Sequence, residues 1–200
     1  MVIYNALILI ISYLMGSINT SIIASKIIIG DDIRNHGSGN AGATNALRTL
    51  GKKGAIIVLL GDALKAALAI LIARVISQNN NTATYIAALG TVLGHNFPVY
   101  FGFRGGKGVV VSLVSILFAD WRIGIVVAII SILIMALSKY VSLGSISGAV
   151  LFVVLSFIFH LDNPDFIVFA FMLAFLAIYM HRTNIVRLIN KTENKLNFKK

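Results

Sequence analysis

Residues 55–76 read AIIVLLGDALKAALAILIARVI. A helix needs about 20 mostly apolar residues to cross the hydrocarbon layer of a bilayer, and this run supplies them. Asp62 and Lys65 sit three residues apart inside it, so they share one helical face. Ionisable groups within a span are costly and turn toward the protein interior or a cavity. The two are read as a buried structural pair in preference to a substrate contact.

The rest of the 200-residue chain follows suit. It is 58% hydrophobic and only 12% charged, against about 25% charged in soluble domains, and its mean hydropathy is +0.91. Six further apolar segments, near 3–28, 83–101, 109–119, 123–138, 141–159 and 165–180, predict seven transmembrane helices in all. The expected fold is all-α, a polytopic integral membrane protein with a single domain over residues 1–200. The 109–119 segment is short for a span. The first segment lacks a basic leader and a small-residue cleavage site, so it reads as a retained helix. There is no cysteine, which excludes disulfides and thiol chemistry. The basic excess, 17 Lys and Arg over 7 Asp and Glu, is assigned to topology and anionic lipid contact; nucleic acid is not an expected partner.

Fourteen of the 17 basic residues fall in one set of loops, 26–53, 102–108, 138–143 and 181–200. The positive-inside rule then puts the N-terminus outside and the C-terminus in the cytosol. The opposite loops are bland, with Trp121 as an interfacial anchor.

Two glycine-rich loops fall on the cytosolic side. Gly37-Ser38-Gly39-Asn40-Ala41-Gly42-Ala43-Thr44-Asn45 leads to Arg48, and Arg104-Gly105-Gly106-Lys107-Gly108 opens a short helix. A third cluster is His181-Arg182-Thr183-Asn184. Glycines let backbone N–H groups crowd an anion, and Arg or Lys supplies the countercharge. The first loop matches G-x-G-x-x-G, but a membrane helix precedes it where a dinucleotide fold needs a strand. The second fails the P-loop pattern, with Phe101 and Gly108 where Gly and Ser or Thr are required. His95, which ends a span near Gly105, is read either as a helix-end bond or as a site contact. Ser142 and Ser145 start a helix, where serine often caps. No cluster has metal-ligand spacing, so no metal and no cofactor is expected.

Motif by motif, the chain resembles one known family. Gly16-Ser17-Ile18, Asp32-Ile33-Arg34 and Gly37 to Asn45 are similar to its first cytosolic motif. Gly94-His95-Asn96-Phe97-Pro98 with Phe103 to Val109 is similar to the second. Ser142-Leu143-Gly144-Ser145, His181 to Ile185, Arg187-Leu188 and Thr192-Glu193 are similar to the third. The family is the bacterial acylphosphate:glycerol-3-phosphate acyltransferases, the PlsY family. The chain departs from its pattern at Asn19, Val111 and Lys191.

The resemblance implies a seven-helix enzyme of the bacterial plasma membrane. It would transfer a fatty acyl group from acyl phosphate to glycerol 3-phosphate, giving lysophosphatidic acid and phosphate, with an upstream acyl-phosphate-forming enzyme as a partner. The residues suit that chemistry. Two anions must meet, so several basic groups are needed. The expected catalytic residues are Ser38, Arg48, Lys107, His181 and Asn184. The expected substrate contacts are Gly39, Asn40, Thr44, Asn45, His95, Gly105, Gly106, Gly108, Ser142, Ser145 and Arg182. The base is either His181, whose reference pKa suits the task, or the donor's own phosphate, the preferred route because no Ser-His-Asp constellation is evident. His160 and Asp165 have the H-x-x-x-x-D spacing that resembles the box of acyl-CoA-using acyltransferases, but they fall on the outer side and are read as a chance match. A transporter for a phosphorylated solute is the rival from another class; it predicts polar residues on both faces and through the midplane. A membrane enzyme with a CoA or prenyl-phosphate donor is the second rival.

Overall fold

The computed structural model describes residues 2–196. Its regular structure is helical: α1 Val2–Gly16, α2 Thr20–Ile29, α3 Ala43–Thr49, α4 Gly51–Ile76, α5 Asn81–Asn96, α6 Val109–Ala119, α7 Trp121–Ser138, α8 Val141–Phe159, α9 Pro164–Met180 and α10 Arg182–Ile189. Each of the seven expected segments contains a helix. Four stretches are long and apolar enough to cross a membrane: Ile3–Ile29, Gly51–Ile76, Trp121–Ser138 and Val141–Phe159. The pair α9 and α10, bent by 60°, makes a fifth. The other two segments are shorter helices, α5 with 16 residues and α6 with 11.

The helix boundaries correct the reading in places. The first segment breaks at 17–19, where Asn19 caps α2 by accepting from Ile22 N at 3.2 Å and Ser21 Oγ at 2.9 Å. The segment read as 83–101 is helical only to Asn96, because Pro98 disfavours helical geometry in the residue before it; a 3-10 turn, Val99–Phe101, follows. At α8 neither serine caps. Tyr140 is the N-cap residue, Ser145 Oγ donates back to Val141 O at 2.9 Å, and Ser142 reaches Glu193.

The chain forms two compact units, Met1–Ser115 and Ile116–Lys200. In the first, α1 packs along α5, and α4 packs against both. Small residues make the approach close. A Cβ on Gly94 would collide with the Tyr13 carbonyl and lie 2.8 Å from Ser17 N, and one on Gly90 would lie 2.9 Å from the Leu9 carbonyl. This Gly-x-x-x-Gly spacing is how membrane helices gain packing that lipid cannot supply. The second unit repeats the device: a Cβ on Gly144 of α8 would sit 2.6 Å from the Ser131 carbonyl of α7. Its core is an edge-to-face cluster of Phe152, Phe166 and Phe169, with centroids 5.8–6.2 Å apart.

Filling the α1–α5 contact tests this packing. Gly94→Val forces the helices apart, at about 1–3 kcal/mol for overpacking. Thermal unfolding of the detergent-solubilised protein is expected to drop by several degrees; an unchanged midpoint would mean that α1 and α5 do not pack here.

Candidate active site

In the first unit, the loop after α2 is built around one amide. Asn45 is fully buried. Its Oδ1 accepts from Ser38 N at 2.8 Å, and its Nδ2 donates to Ile33 O at 3.2 Å and His36 O at 2.9 Å. Ile33 and Ala41 anchor the loop in a core with Ile22, Ala46 and Val58. Asn45, expected as a substrate contact, therefore shapes the loop from below. Ser38, Gly39 and Arg48 are exposed; Asn40 and Thr44 are half-buried.

Arg34 joins this loop to the second one. Its Nε and Nη2 grip Asp32 at 3.0 and 2.7 Å. Its Nη1 donates to Phe101 O at 2.7 Å and to Arg104 O at 2.8 Å. The guanidinium hydrogen bond holds the Asp32 carboxyl below its usual range, against the opposing effect of partial burial. Thus Ser38 and Arg48 lie on one side of a latch whose other side leads directly into Gly105–Gly108.

The second loop hangs on the end of α5. Gly105 N donates to Asn96 O and Gly106 N to His95 O, both at 3.1 Å. In the first loop, Gly39 N donates to His36 O at 3.0 Å and Gly42 N to Asn40 O at 3.1 Å. These amides hold the loops together, which corrects the picture of glycine N–H groups open to an anion. What the second loop needs from glycine is space: a Cβ on Gly106 would collide with His95 Nε2 and with the Ala41 carbonyl. Gly108 turns the chain at φ +71° into α6, and Lys107 just before it is half-buried. His95 is buried; its Nδ1 lies 3.0 Å from Lys65 Nζ. Lys65 also meets Asp62 Oδ1 at 2.9 Å, so the expected pair exists, with His95 as a third member.

The second unit carries a cluster of its own, centred on Glu193. Asn184 Nδ2 donates to its Oε1 at 2.7 Å, Ser142 Oγ donates to the same oxygen at 3.0 Å, and Arg187 Nε reaches Oε2 at 2.8 Å. Glu193 was missing from the candidates, although it stood in the quoted motif Thr192-Glu193. Its carboxyl is raised by burial, but bonds from Arg187, Asn184 and Ser142 outweigh this and keep it below the ordinary glutamate value. His181 is buried at the end of α9 with Nδ1 2.7 Å from Ala177 O. A carbonyl can only accept, so Nδ1 carries the proton and Nε2 the lone pair in the neutral ring. Arg182 is exposed, its guanidinium 4.6 Å from the centre of the Tyr179 ring. Ser145 is tied to its own helix. His160 pairs with Asp120 at 2.9 Å and stacks on Phe166.

Comparison with known proteins shows the family and a matching fold. Residues 6–191 match the family model of glycerol-3-phosphate acyltransferase. A glycerol-3-phosphate acyltransferase of Thermoanaerobacter sp. (strain X514) is 46% identical over 193 residues, which cover 96% of each chain. The crystal structure of PlsY (YgiH), an integral membrane glycerol 3-phosphate acyltransferase, in its glycerol 3-phosphate form, is 34% identical. It superposes with a TM-score of 0.89 over 96% of each chain. Its lysophosphatidic acid form gives 0.85 at 33% identity, over 96% of this chain and 95% of that one.

The Glu193 cluster makes a pH prediction. A carboxyl whose folded pKa lies below its unfolded value adds stability above the unfolded pKa and loses it as pH falls through the folded one. The wild type is therefore expected to melt lower at pH 4 than at pH 7, and Glu193→Gln to show a smaller difference. An equal difference in both proteins would remove Glu193 from the acid response.

Proposed function

The chain belongs to the glycerol-3-phosphate acyltransferase family, and from that premise we propose how its residues divide the work of acyl transfer. The reaction moves a fatty acyl group to glycerol 3-phosphate and yields lysophosphatidic acid. The donor we propose is acyl phosphate, supplied by an upstream enzyme that forms it. The setting is the bacterial plasma membrane, crossed by seven helices with the N-terminus outside and the loop clusters in the cytosol. Residues 1–200 act as one acyltransferase domain. The observation that carries this reading is the joining, by Arg34, of the loop that leads to Arg48 with the loop that bears Lys107, in a chain matched to the family over nearly its whole length.

Acyl phosphate is a mixed anhydride, so its phosphate departs readily once its charge is balanced. Arg48, exposed on α3, has the planar fork that suits bidentate contact with this phosphate. Lys107, at the start of α6, suits the phosphate of glycerol 3-phosphate, where the helix N-terminus adds to its charge. Ser38, Asn40 and Thr44 offer side-chain hydrogen bonds. The glycerol hydroxyl oxygen bonds to the carbonyl carbon, the bond from that carbon to the phosphate oxygen breaks, and the hydroxyl proton passes to the departing phosphate. His181 Nε2 is the alternative acceptor. Asn184, oriented by Glu193, is the remaining polar group assigned to catalysis. The donor assignment is tested by offering the purified protein labelled glycerol 3-phosphate with acyl phosphate, acyl-CoA or acyl carrier protein; transfer from acyl phosphate alone is expected.

Kinetics separate the two cations. Lys107→Ala is expected to raise KM for glycerol 3-phosphate more than it lowers kcat. Arg48→Ala is expected to lower kcat at saturating glycerol 3-phosphate, as loss of a transition-state contact does. The reverse pattern would exchange the two roles. Orientation is checked in this cysteine-free chain by single cysteines and an impermeant thiol reagent on intact cells. Asn80→Cys is expected to label and Gly39→Cys to stay protected.

A further inference from the structure

A buried charged group lies directly beneath the second loop, and the acyl-transfer steps make no use of it. Lys65 Nζ has three neighbours: Ile18 O at 2.8 Å, Asp62 Oδ1 at 2.9 Å and His95 Nδ1 at 3.0 Å. Lys65, Asp62 and His95 are 7%, 2% and 3% exposed. An ammonium has three N–H bonds and no acceptor; it bonds to Ile18 O and to His95 Nδ1, and Asp62 Oδ1 faces it as a counterion without hydrogen-bond geometry. The donation to Nδ1 fixes the neutral imidazole with its proton on Nε2. Asp62 lies 3.6 Å from Nδ1, too far to compete for that position. Nε2 in turn packs against Gly106, while the backbone of His95 and Asn96 holds Gly106 and Gly105.

We propose that Lys65 is a positioning residue for acyl transfer: it locks the His95 imidazole in one tautomer and orientation, and the imidazole sets the height of the Gly105–Gly108 loop and so the place of Lys107. Lys65 touches no substrate. Ile18 O is available to it because the break between α1 and α2 leaves that carbonyl outside a helix. The chain therefore brings three separate segments to one ammonium for the sake of one loop. The inference rests on the reading of Lys107 as the glycerol 3-phosphate contact.

The test removes the ion pair as a whole. Asp62→Asn combined with Lys65→Met leaves no lone buried charge, and replacing both members of such a pair is often tolerated. The double variant is expected to fold, to raise KM for glycerol 3-phosphate about tenfold, and to keep KM for acyl phosphate within about twofold. An unchanged KM for glycerol 3-phosphate in a folded double variant would reduce Lys65 to a structural filler and overturn the proposal. Nitrogen-15 spectra of histidine-labelled wild-type protein, with His95 assigned by the signal lost in His95→Gln, give a second reading that does not depend on the double variant folding. Protonation on Nε2 alone supports the proposal, and a proton on Nδ1 overturns it. Lys107→Ala is assayed alongside. If it leaves KM for glycerol 3-phosphate unchanged while the double variant raises it, the role given to Lys107 falls and the control of the loop by Lys65 stands.

Discussion

The first unit depends on the guanidinium of Arg34. Two polar loops rich in glycine must hold fixed positions, and ordering a residue costs roughly 1–2 kcal/mol of backbone entropy. Neither loop has regular structure of its own beyond a short 3-10 turn. Arg34 solves this by gripping Asp32 on its own side and two carbonyls, Phe101 and Arg104, on the other. Asn45 does the same within the first loop, and the end of α5 within the second. Both loops are thus tied down by hydrogen bonds within the protein itself, the kind of preorganisation that the proposed contact with a reacting anion calls for.

The long apolar helices were legible in the sequence because length and hydropathy act locally. A run such as 55–76 can hardly be anything but a buried or spanning helix. The pair Asp62 and Lys65 was legible for the same reason, since a three-residue spacing fixes a shared face. The break at 17–19 was not: it contains no proline, and its mark is Asn19 capping the next helix. The true end of α5 was legible in principle, since Pro98 marks it.

The candidate residues could be named from the sequence, but the contacts that surround them could not. Glycine-rich sequence suggested open backbone donors, yet several of those donors close the loops on themselves. Only the contact geometry shows that Gly106 is needed for its missing side chain. Glu193 collects Ser142, 51 positions earlier, and Asn184, nine positions earlier; no local pattern relates three such positions. Ser142 looked like a cap because it begins a helix, but a more distant carboxylate takes its hydroxyl.

The packing of α1 on α5 also bears on synthesis. Tyr13 meets Gly94, so α1 emerges some 80 residues before its partner, about 4–16 s at roughly 5–20 residues per second. Throughout that interval the face of α1 that meets Gly90 and Gly94 has no helix to fit. Lys65 emerges in the same window, long before His95. Its counterion, only three residues away, enters the bilayer in the same turn of helix. Ammonium and carboxylate therefore share one helical face as soon as this helix has formed, whatever else has yet to be made.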